Sequence, residues 1–245
     1  MAKKTRDARV HPRSDSAESA ETARRVAGRW PFVSGGIGIV LVAALGALIA
    51  LREGNLPFSF DTAFLGELVE HRSAFWTVPA LVMNNVGAGI IGVIVIPVGI
   101  VGILCLLRKF WAAIYYAIAT AVVAGLVQLL KNIFERPRPT DIMVTADLGS
   151  FPSGHTANAA TMAVVLGFVL QRYWVWIAGA LYTIAMLLSR TYLGAHWLSD
   201  TIGGLVLGVA VAVMVWAPLA VRLHDERLRR RSPFSLRRAP DSLDQ

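Results

Sequence analysis

An uncharged run of 21 residues stands near the N-terminus: Pro31-Phe-Val-Ser-Gly-Gly-Ile-Gly-Ile-Val-Leu-Val-Ala-Ala-Leu-Gly-Ala-Leu-Ile-Ala-Leu51. A transmembrane helix needs about 20 predominantly apolar residues, so this run is long enough to cross a bilayer once. The apolar region of a cleavable signal peptide is shorter, at about 7 to 15 residues. The run therefore indicates a signal anchor, with a cleaved signal peptide as the alternative.

Similar apolar runs recur along the chain. Of its 245 residues, 55% are hydrophobic and 16% are charged, whereas soluble domains carry about 25% charged residues. These values exclude a soluble globular domain and a wholly disordered chain. The further runs are residues 86–107, 110–130, 156–170, 173–188 and 198–221. The sequence predicts an all-α polytopic membrane bundle of about six transmembrane helices in a single domain, residues 31–221.

Two local patterns add detail to this bundle. Phe64, Leu65, Leu68 and Val69 recur at helical spacing within segment 54–86 and stand beside two glutamates. This spacing predicts an amphipathic helix at the membrane interface, with an ordinary packed helix as the alternative. In the last run, the small residues of Gly204-Leu-Val-Leu-Gly208 favour close packing against another helix.

The net charge of +8 is concentrated at the two ends of the chain. Residues 1–30 hold eight Lys or Arg against four acidic residues, and residues 222–245 hold seven Arg against four. Basic flanks on an apolar body are typical of cytoplasmic ends and disfavour nucleic-acid binding. We expect a disordered cytoplasmic arm over 1–30 and an Arg-rich cytoplasmic tail over 222–245, in a multi-pass protein of the plasma membrane. Loops 131–155 and 189–197 then face the outside.

Three polar clusters stand at the predicted outer ends of the spans. They are Lys131-Asn-Ile-Phe-Glu-Arg-Pro-Arg-Pro139, Pro152-Ser-Gly-His155, and Ser189-Arg190 followed after five residues by His196 and after three more by Asp200. Guanidinium and ammonium groups can surround a phosphoryl group. Ser153 and Gly154 open a predicted helix, whose first N–H groups and dipole favour an anion. The clusters therefore indicate a phosphate site.

The histidines of these clusters predict two chemical roles. His196 and Asp200 are four residues apart, one helical turn, which places them on one face. A carboxylate that accepts the imidazole N–H fixes the tautomer and leaves the other nitrogen as a nucleophile. His155 is then available as a general acid for the leaving oxygen. A structural pair or half of a metal site is the alternative, and a metal would need more ligands. The further candidate ligands are His71, Glu135, Asp141 and Asp147.

The clusters resemble the signature of the type 2 phosphatidic acid phosphatase superfamily: Lys-x6-Arg-Pro, Pro-Ser-Gly-His and Ser-Arg-x5-His-x3-Asp. All eleven specified positions match. The resemblance implies that His196 is the nucleophile, that Asp200 assists it, and that His155 protonates the leaving group. It implies that phosphate is bound by Lys131, Arg138, Ser153, Gly154 and Arg190. It implies no metal ion and no cofactor, and it gives no role to Arg136.

The expected function is that of a membrane lipid phosphatase with a phosphohistidine intermediate. Phosphatidylglycerol phosphate, phosphatidate and polyprenyl diphosphate all present the same phosphoryl group, although an outward-facing site favours a recycled polyprenyl carrier. A phosphotransferase of the same superfamily and a non-catalytic lipid-binding or transport protein are the alternatives. Vanadium-dependent haloperoxidases share the signature, but they resemble soluble proteins, so the apolar composition of this chain disfavours that class. The sequence predicts no oligomeric state.

Overall fold

A computed structural model of the chain describes residues 12–87, 90–145 and 149–231. Within these residues the fold is entirely helical, with no β-strand. The α-helices are α1 (Pro12–Ala50), α2 (Ser59–Glu70), α3 (Ala74–Gly87), α4 (Ile96–Leu106), α5 (Phe110–Phe134), α6 (Gly154–Leu170), α7 (Tyr173–Tyr192) and α8 (Leu198–Arg231). A 3₁₀ turn, Glu53–Asn55, precedes α2, and a π-helical segment, Ile91–Val95, leads into α4.

The apolar helices confirm the predicted all-α membrane bundle. Four of them are long and apolar enough to cross a bilayer: Gly28–Ala50, Phe110–Phe134, Tyr173–Tyr192 and Leu198–Arg229. A fifth span results if α3 and the helix at Ile91–Leu106, which are bent by 53° at the break between them, are taken together. The fourth predicted span, residues 156–170, corresponds to α6, which is apolar but only 17 residues long.

The first and last helices extend beyond the apolar runs. Helix α1 begins at Pro12, so it includes residues 12–30, which the sequence assigns to a disordered arm. Ala, Glu and Arg make up most of 17–27, and these residues have high helix propensity. Residues 1–11 of the arm lie outside the described residues. Helix α8 continues to Arg231, so the tail begins as helix, and residues 232–245 also lie outside the described part of the chain.

The segment before the second apolar run differs from its sequence-based assignment. The amphipathic helix is confirmed as α2, with Leu65 buried. The sequence places the start of the next span near residue 86, but α3 already begins at Ala74 and contains Pro79. Proline is a helix breaker in water. In apolar surroundings, however, neighbouring helices stabilise a helix that contains proline. The second predicted span therefore corresponds to two helices that meet at a 53° bend and not to one continuous helix.

The core is built around α8, which packs against α1, α5 and α6. Apolar side chains from these helices and from the loop before α6 form one buried cluster: Val42, Ile49, Val123, Val127, Phe151, Ala157, Leu207 and Val211. A Cβ atom at Gly204 would lie 2.3 Å from the carbonyl oxygen of Ser153, and one at Gly208 would lie 2.3 Å from that of Ala157. The two glycines therefore let α8 lie against the backbone of α6, which confirms the predicted close packing.

Candidate active site

The three polar clusters meet at one end of the bundle. The C-terminal half of α5, the N-terminal end of α6, the C-terminal end of α7 and the loop before α8 line a cavity of about 1100 Å³. Six of the predicted site residues line this cavity: Lys131, Arg138, Gly154, His155, Arg190 and His196. The other two, Ser153 and Asp200, are fully buried behind them.

The hydrogen bonds of His196 define its tautomer. Its Nδ1 lies 2.8 Å from the carbonyl oxygen of Ser150. A carbonyl oxygen can only accept a hydrogen bond, so Nδ1 carries the proton and Nε2 keeps its lone pair. Nε2 in turn lies 3.3 Å from a guanidinium nitrogen of Arg138, which can only donate. Both contacts therefore select the tautomer that leaves the lone pair on Nε2.

The contacts of Asp200 differ from the sequence-based prediction. Its carboxylate was expected to accept the imidazole N–H, but its Oδ2 lies 3.6 Å from Nδ1 of His196, beyond hydrogen-bond distance. The reason is that α8 begins at Leu198, so His196 is not on the same helical face. Asp200 instead accepts the N–H of Trp197, 2.9 Å away, and a bond from Arg136 of 2.5 Å. Asp200 therefore lies beside the imidazole without a direct hydrogen bond to it.

Arg138 lies between the loop before α8 and the loop before α6. One guanidinium nitrogen donates to the carbonyl oxygen of Ala195 at 2.5 Å, and the other donates to that of Gly149 at 3.0 Å. Gly149 has a φ of 73°, in the left-handed region that favours glycine. These bonds hold the guanidinium beside Nε2 of His196. A phosphoryl group on that nitrogen would therefore lie next to a fixed positive charge.

Two further cations line the same cavity. Lys131 is buried in the last turn of α5. Arg190 is buried near the end of α7, where one guanidinium nitrogen donates to Oδ1 of Asn84 on α3. Burial, together with the charges of Arg138, Arg190 and Lys131, holds the pKa of His196 well below its ordinary value of 6.5. The imidazole is therefore neutral near neutral pH, as a nucleophile requires.

The start of α6 contributes backbone as well as side chains. Gly154 and His155 are its first residues, and both line the cavity. The first N–H groups of a helix have no partner inside the helix, so an anion is favoured there. The Ser153 hydroxyl does not line the cavity, because it lies behind α6 and accepts a 3.2 Å hydrogen bond from Thr156. Its backbone N–H donates to the carbonyl oxygen of Asp200 at 2.9 Å.

His155 stands on the first turn of α6. Its Nε2 is buried and has no hydrogen-bond partner among the described residues. A Cβ atom at Gly87 would lie 3.0 Å from Cδ2 of this ring and 2.5 Å from Cε of Met186. Glycine at the end of α3 therefore leaves the space that the ring occupies. The two histidines share the cavity, and only His196 has a carboxylate near it within the described part of the chain.

The candidate metal ligands do not assemble. His71 is exposed and lies next to Glu67, and Asp141 contacts Arg72 through its backbone oxygen. Within residues 12–87, 90–145 and 149–231, no group of three His, Cys, Asp or Glu side chains could hold a metal ion. Asp147, the fourth candidate, lies outside the described residues.

Sequence reasoning missed four residues around the predicted site: Asn84, Arg136 and Ser150, which contact it, and Asp61, which reaches it through Arg136. Arg136 is fully buried and binds Asp200 on one side and Asp61 on the other. Its signal was present, since a charged residue between a transmembrane helix and two prolines needs a partner. The other three belong to no cluster, and their proximity to the site arises only from the fold.

Comparison with known proteins agrees with this arrangement. Residues 112–222 match the PAP2 superfamily. Phosphatidylglycerophosphatase B of Bacillus subtilis is 29% identical over 133 residues, which cover 50% of this chain and 63% of that protein. Undecaprenyl-diphosphatase of Sulfolobus acidocaldarius is 39% identical over 72 residues, which cover 29% of this chain and 31% of that protein. The alignments thus span less than two thirds of either relative.

The fold is also similar to a solved structure. The crystal structure of a transmembrane PAP2-type phosphatidylglycerolphosphate phosphatase from Bacillus subtilis superposes with a TM-score of 0.66 at 25% identity. The match covers 80% of this chain and 98% of that one. The residues that match the PAP2 superfamily, 112–222, contain all three clusters that surround the cavity. Residues 112–222 therefore form a PAP2 superfamily domain.

Proposed function

We propose that the protein is a membrane lipid phosphatase that removes a phosphoryl group from a lipid headgroup through a phosphohistidine on His196. The observation that carries this proposal is the tautomer of the neutral His196 ring. Its Nδ1–H is held by an oxygen that can only accept, so the Nε2 lone pair is available at the cavity. Three cations line that cavity, which are Lys131, Arg138 and Arg190.

The first chemical step transfers the phosphoryl group to the enzyme. Nε2 of His196 forms a bond to phosphorus while the bond to the leaving oxygen breaks in line with it. The charge of the transition state spreads over three equatorial oxygens, which the three cations stabilise. His155, which the negative charge of the bound phosphate keeps protonated, donates a proton to the leaving oxygen, so the lipid leaves as a neutral alcohol or as a protonated phosphate. The Nδ1–H continues to donate its hydrogen bond to the Ser150 carbonyl oxygen, and this oxygen stabilises the positive charge that the ring gains.

The second step releases inorganic phosphate. A water molecule attacks phosphorus from the side that the lipid has left. His155, now neutral, accepts a proton from this water, and the P–N bond breaks to restore the lone pair of His196. An alcohol in place of water would give phosphoryl transfer, the alternative activity. The same residues serve both reactions, so the acceptor decides between them.

The cavity also has room for part of the lipid. Its lining continues along α5 from Lys131 to Thr120, which is about 16 Å at 1.5 Å per residue. Apolar side chains of α5 and of the π-helical segment line this length, among them Val123, Val127 and Ile94. A headgroup phosphate would fit the polar end of the cavity at His196, and an acyl or prenyl chain would fit its apolar length along α5.

Charge placement further supports a site on the outer face of the plasma membrane, with both termini cytoplasmic.

The candidate substrates are phosphatidylglycerol phosphate, undecaprenyl diphosphate and phosphatidate. The named activities of the two relatives support the first two of these. The test measures phosphate release from all three by the purified, detergent-solubilised protein. We expect release from at least one substrate, with or without EDTA, because side chains supply the positive charge. The matched control is His196→Gln, which should be inactive. Absence of release from every lipid phosphate would refute the proposal, and loss in EDTA with recovery in a divalent ion would refute its metal independence.

A further inference from the structure

A buried network of charges lies behind the candidate site. Arg136 donates from one nitrogen to Oδ1 of Asp200 at 2.5 Å and from the other to Oδ2 of Asp61 at 2.8 Å. All three side chains are shielded completely from solvent. Ser199 joins the same network, since its hydroxyl lies 2.7 Å from both the Arg136 guanidinium and the Asp61 carboxylate. Its backbone N–H also donates to Asp61, at 2.8 Å.

This network connects a helix outside the matched region to the nucleophile. Asp61 stands in the first turn of α2, about 50 residues before the PAP2 match begins. From it, the contacts run through Arg136 to Asp200, whose carboxylate lies 3.6 Å from Nδ1 of His196. The Arg136 guanidinium also lies 5.9 Å from the ring of Phe58 and 5.8 Å from that of Trp197. Its position is therefore fixed from both sides.

The charges of the network explain what this connection does. Two carboxylates share one guanidinium, and bulk solvent does not reach any of the three side chains. If Asp61 were neutral, Arg136 would direct its whole charge to Asp200. The field of Asp200 at the imidazole would then be weaker. An imidazole that attacks phosphorus gains positive charge, and a nearby carboxylate that is not fully neutralised stabilises that charge.

We propose that Asp61 is a positioning residue of this site, which acts on His196 through Arg136 and Asp200 and thereby speeds phosphoryl transfer to the histidine. The inference rests on the proposed phosphatase function. Asp61 does not line the cavity, and it reaches the site through Arg136. It should therefore affect the rate of the chemical step and leave phosphate binding unchanged.

The test compares Asp61→Asn with the wild type. We expect kcat to fall about tenfold, as for the loss of one electrostatic contact to the transition state. KM and the inhibition constant of inorganic phosphate should change by less than about twofold, since the binding cations are unaltered. The matched control is Glu67→Gln on the same helix, where the side chain is exposed and its loss of charge should have no effect. An unchanged kcat, or an equal loss in phosphate affinity, would overturn the inference.

A double variant separates positioning from a merely structural role. If Asp61 acts through Asp200, Asp61→Asn should have almost no further effect in an Asp200→Asn background. That background retains measurable turnover, because the Ser150 carbonyl oxygen still fixes the tautomer. Additive losses would show that Asp61 acts by another route. A wild type without phosphatase activity would instead refute the proposed function itself.

A milder change covers the case in which Asp61→Asn does not fold. Ser199→Ala removes only the hydroxyl that bridges Asp61 and Arg136, and it leaves the backbone N–H in place. We expect kcat to fall about threefold with unchanged phosphate inhibition, a smaller effect because the two ions remain paired. Unchanged kcat in a folded Ser199→Ala protein would contradict the inference.

Discussion

At His196, the chemistry depends on which ring nitrogen carries the proton. The motif predicts that a carboxylate fixes this proton, whereas the structure gives that task to the Ser150 carbonyl oxygen. Ser150 stands just before Pro-Ser-Gly-His and belongs to no signature, so one sequence could not identify it. The motif residues themselves were predictable because their types and spacing are specific. Their partners were not, since Asp61 and Arg136 are 75 residues apart in the chain and meet only in the fold.

The two histidines should respond differently to the leaving group. A lipid alkoxide needs a proton as its P–O bond breaks, whereas p-nitrophenolate leaves readily without one. We expect His155→Ala to lower kcat by about 10²-fold or more on a lipid phosphate and by much less on p-nitrophenyl phosphate. Steady-state kinetics with both substrates measure the difference. An equal loss on the two substrates would exclude His155 as the general acid.

The pH dependence of the reaction should follow the pKa of His196. Because that pKa lies well below 6.5, the imidazole stays neutral, and wild-type activity should persist as the pH falls through 6.5. Arg138→Gln removes a positive charge 3.3 Å from Nε2, so the pKa should rise and the acid limb of kcat/KM should move to higher pH. We also expect kcat/KM to fall about 10²-fold, since an oxyanion contact is lost.

The control for this pH shift is Arg172→Gln. Arg172 is exposed in the loop between α6 and α7, at the opposite end of α6 from the cavity. The same substitution there should leave both the rate and the acid limb unchanged. The ionisation of the substrate is common to all three proteins and cancels in the comparison. An acid limb that stays in place or moves to lower pH in Arg138→Gln would contradict the electrostatic account.

Among the helices, the contact of α8 with α6 positions two of the three motifs. Gly204→Ala would place a methyl group 2.3 Å from the Ser153 carbonyl oxygen, where backbone cannot easily move. We expect about 1 to 3 kcal/mol of destabilisation and a loss of activity, because Ser153 leads directly into Gly154 and His155. Thermal unfolding in detergent and phosphate release measure the two effects.

Gly125→Ala is the matched control for this substitution. Gly125 is exposed in the middle of α5, and a Cβ atom there would have no neighbour within 4 Å. Replacing glycine by alanine in an open helix position should be neutral or stabilise by about 0.5 to 1 kcal/mol. Equal destabilisation by both substitutions would show that close packing at Gly204 is not what matters.

The helices were predictable to different degrees. Long apolar runs identified α1, α5, α7 and α8, since hydrophobic length is a strong signal. The boundary at α3 was not predictable, because Pro79, Gly87 and Gly92 are residues typical of a loop in water. In this bundle the same residues belong to a broken helix pair that lines the cavity. Composition alone does not distinguish these two environments.

Across the whole molecule, the distribution of Lys and Arg predicts the orientation in the membrane. Thr145 is exposed at the cavity end, and Gln171 is exposed at the other end. In a Cys105→Ala background, a cysteine at position 145 should react with an impermeant thiol reagent in intact cells. A cysteine at position 171 should react only after the membrane is opened. The reverse pattern would place the site on the cytoplasmic side.

The central claim is that His196 carries the phosphoryl group during turnover. The most direct measurement is rapid acid-free quenching of the purified protein with a ³²P-labelled lipid phosphate, followed by peptide mapping. We predict an acid-labile, base-stable phosphoryl group on the peptide that contains His196, formed and lost at rates consistent with kcat, and absent in His196→Gln. A phosphoryl group on any other residue, or the same labelling in His196→Gln, would contradict the account.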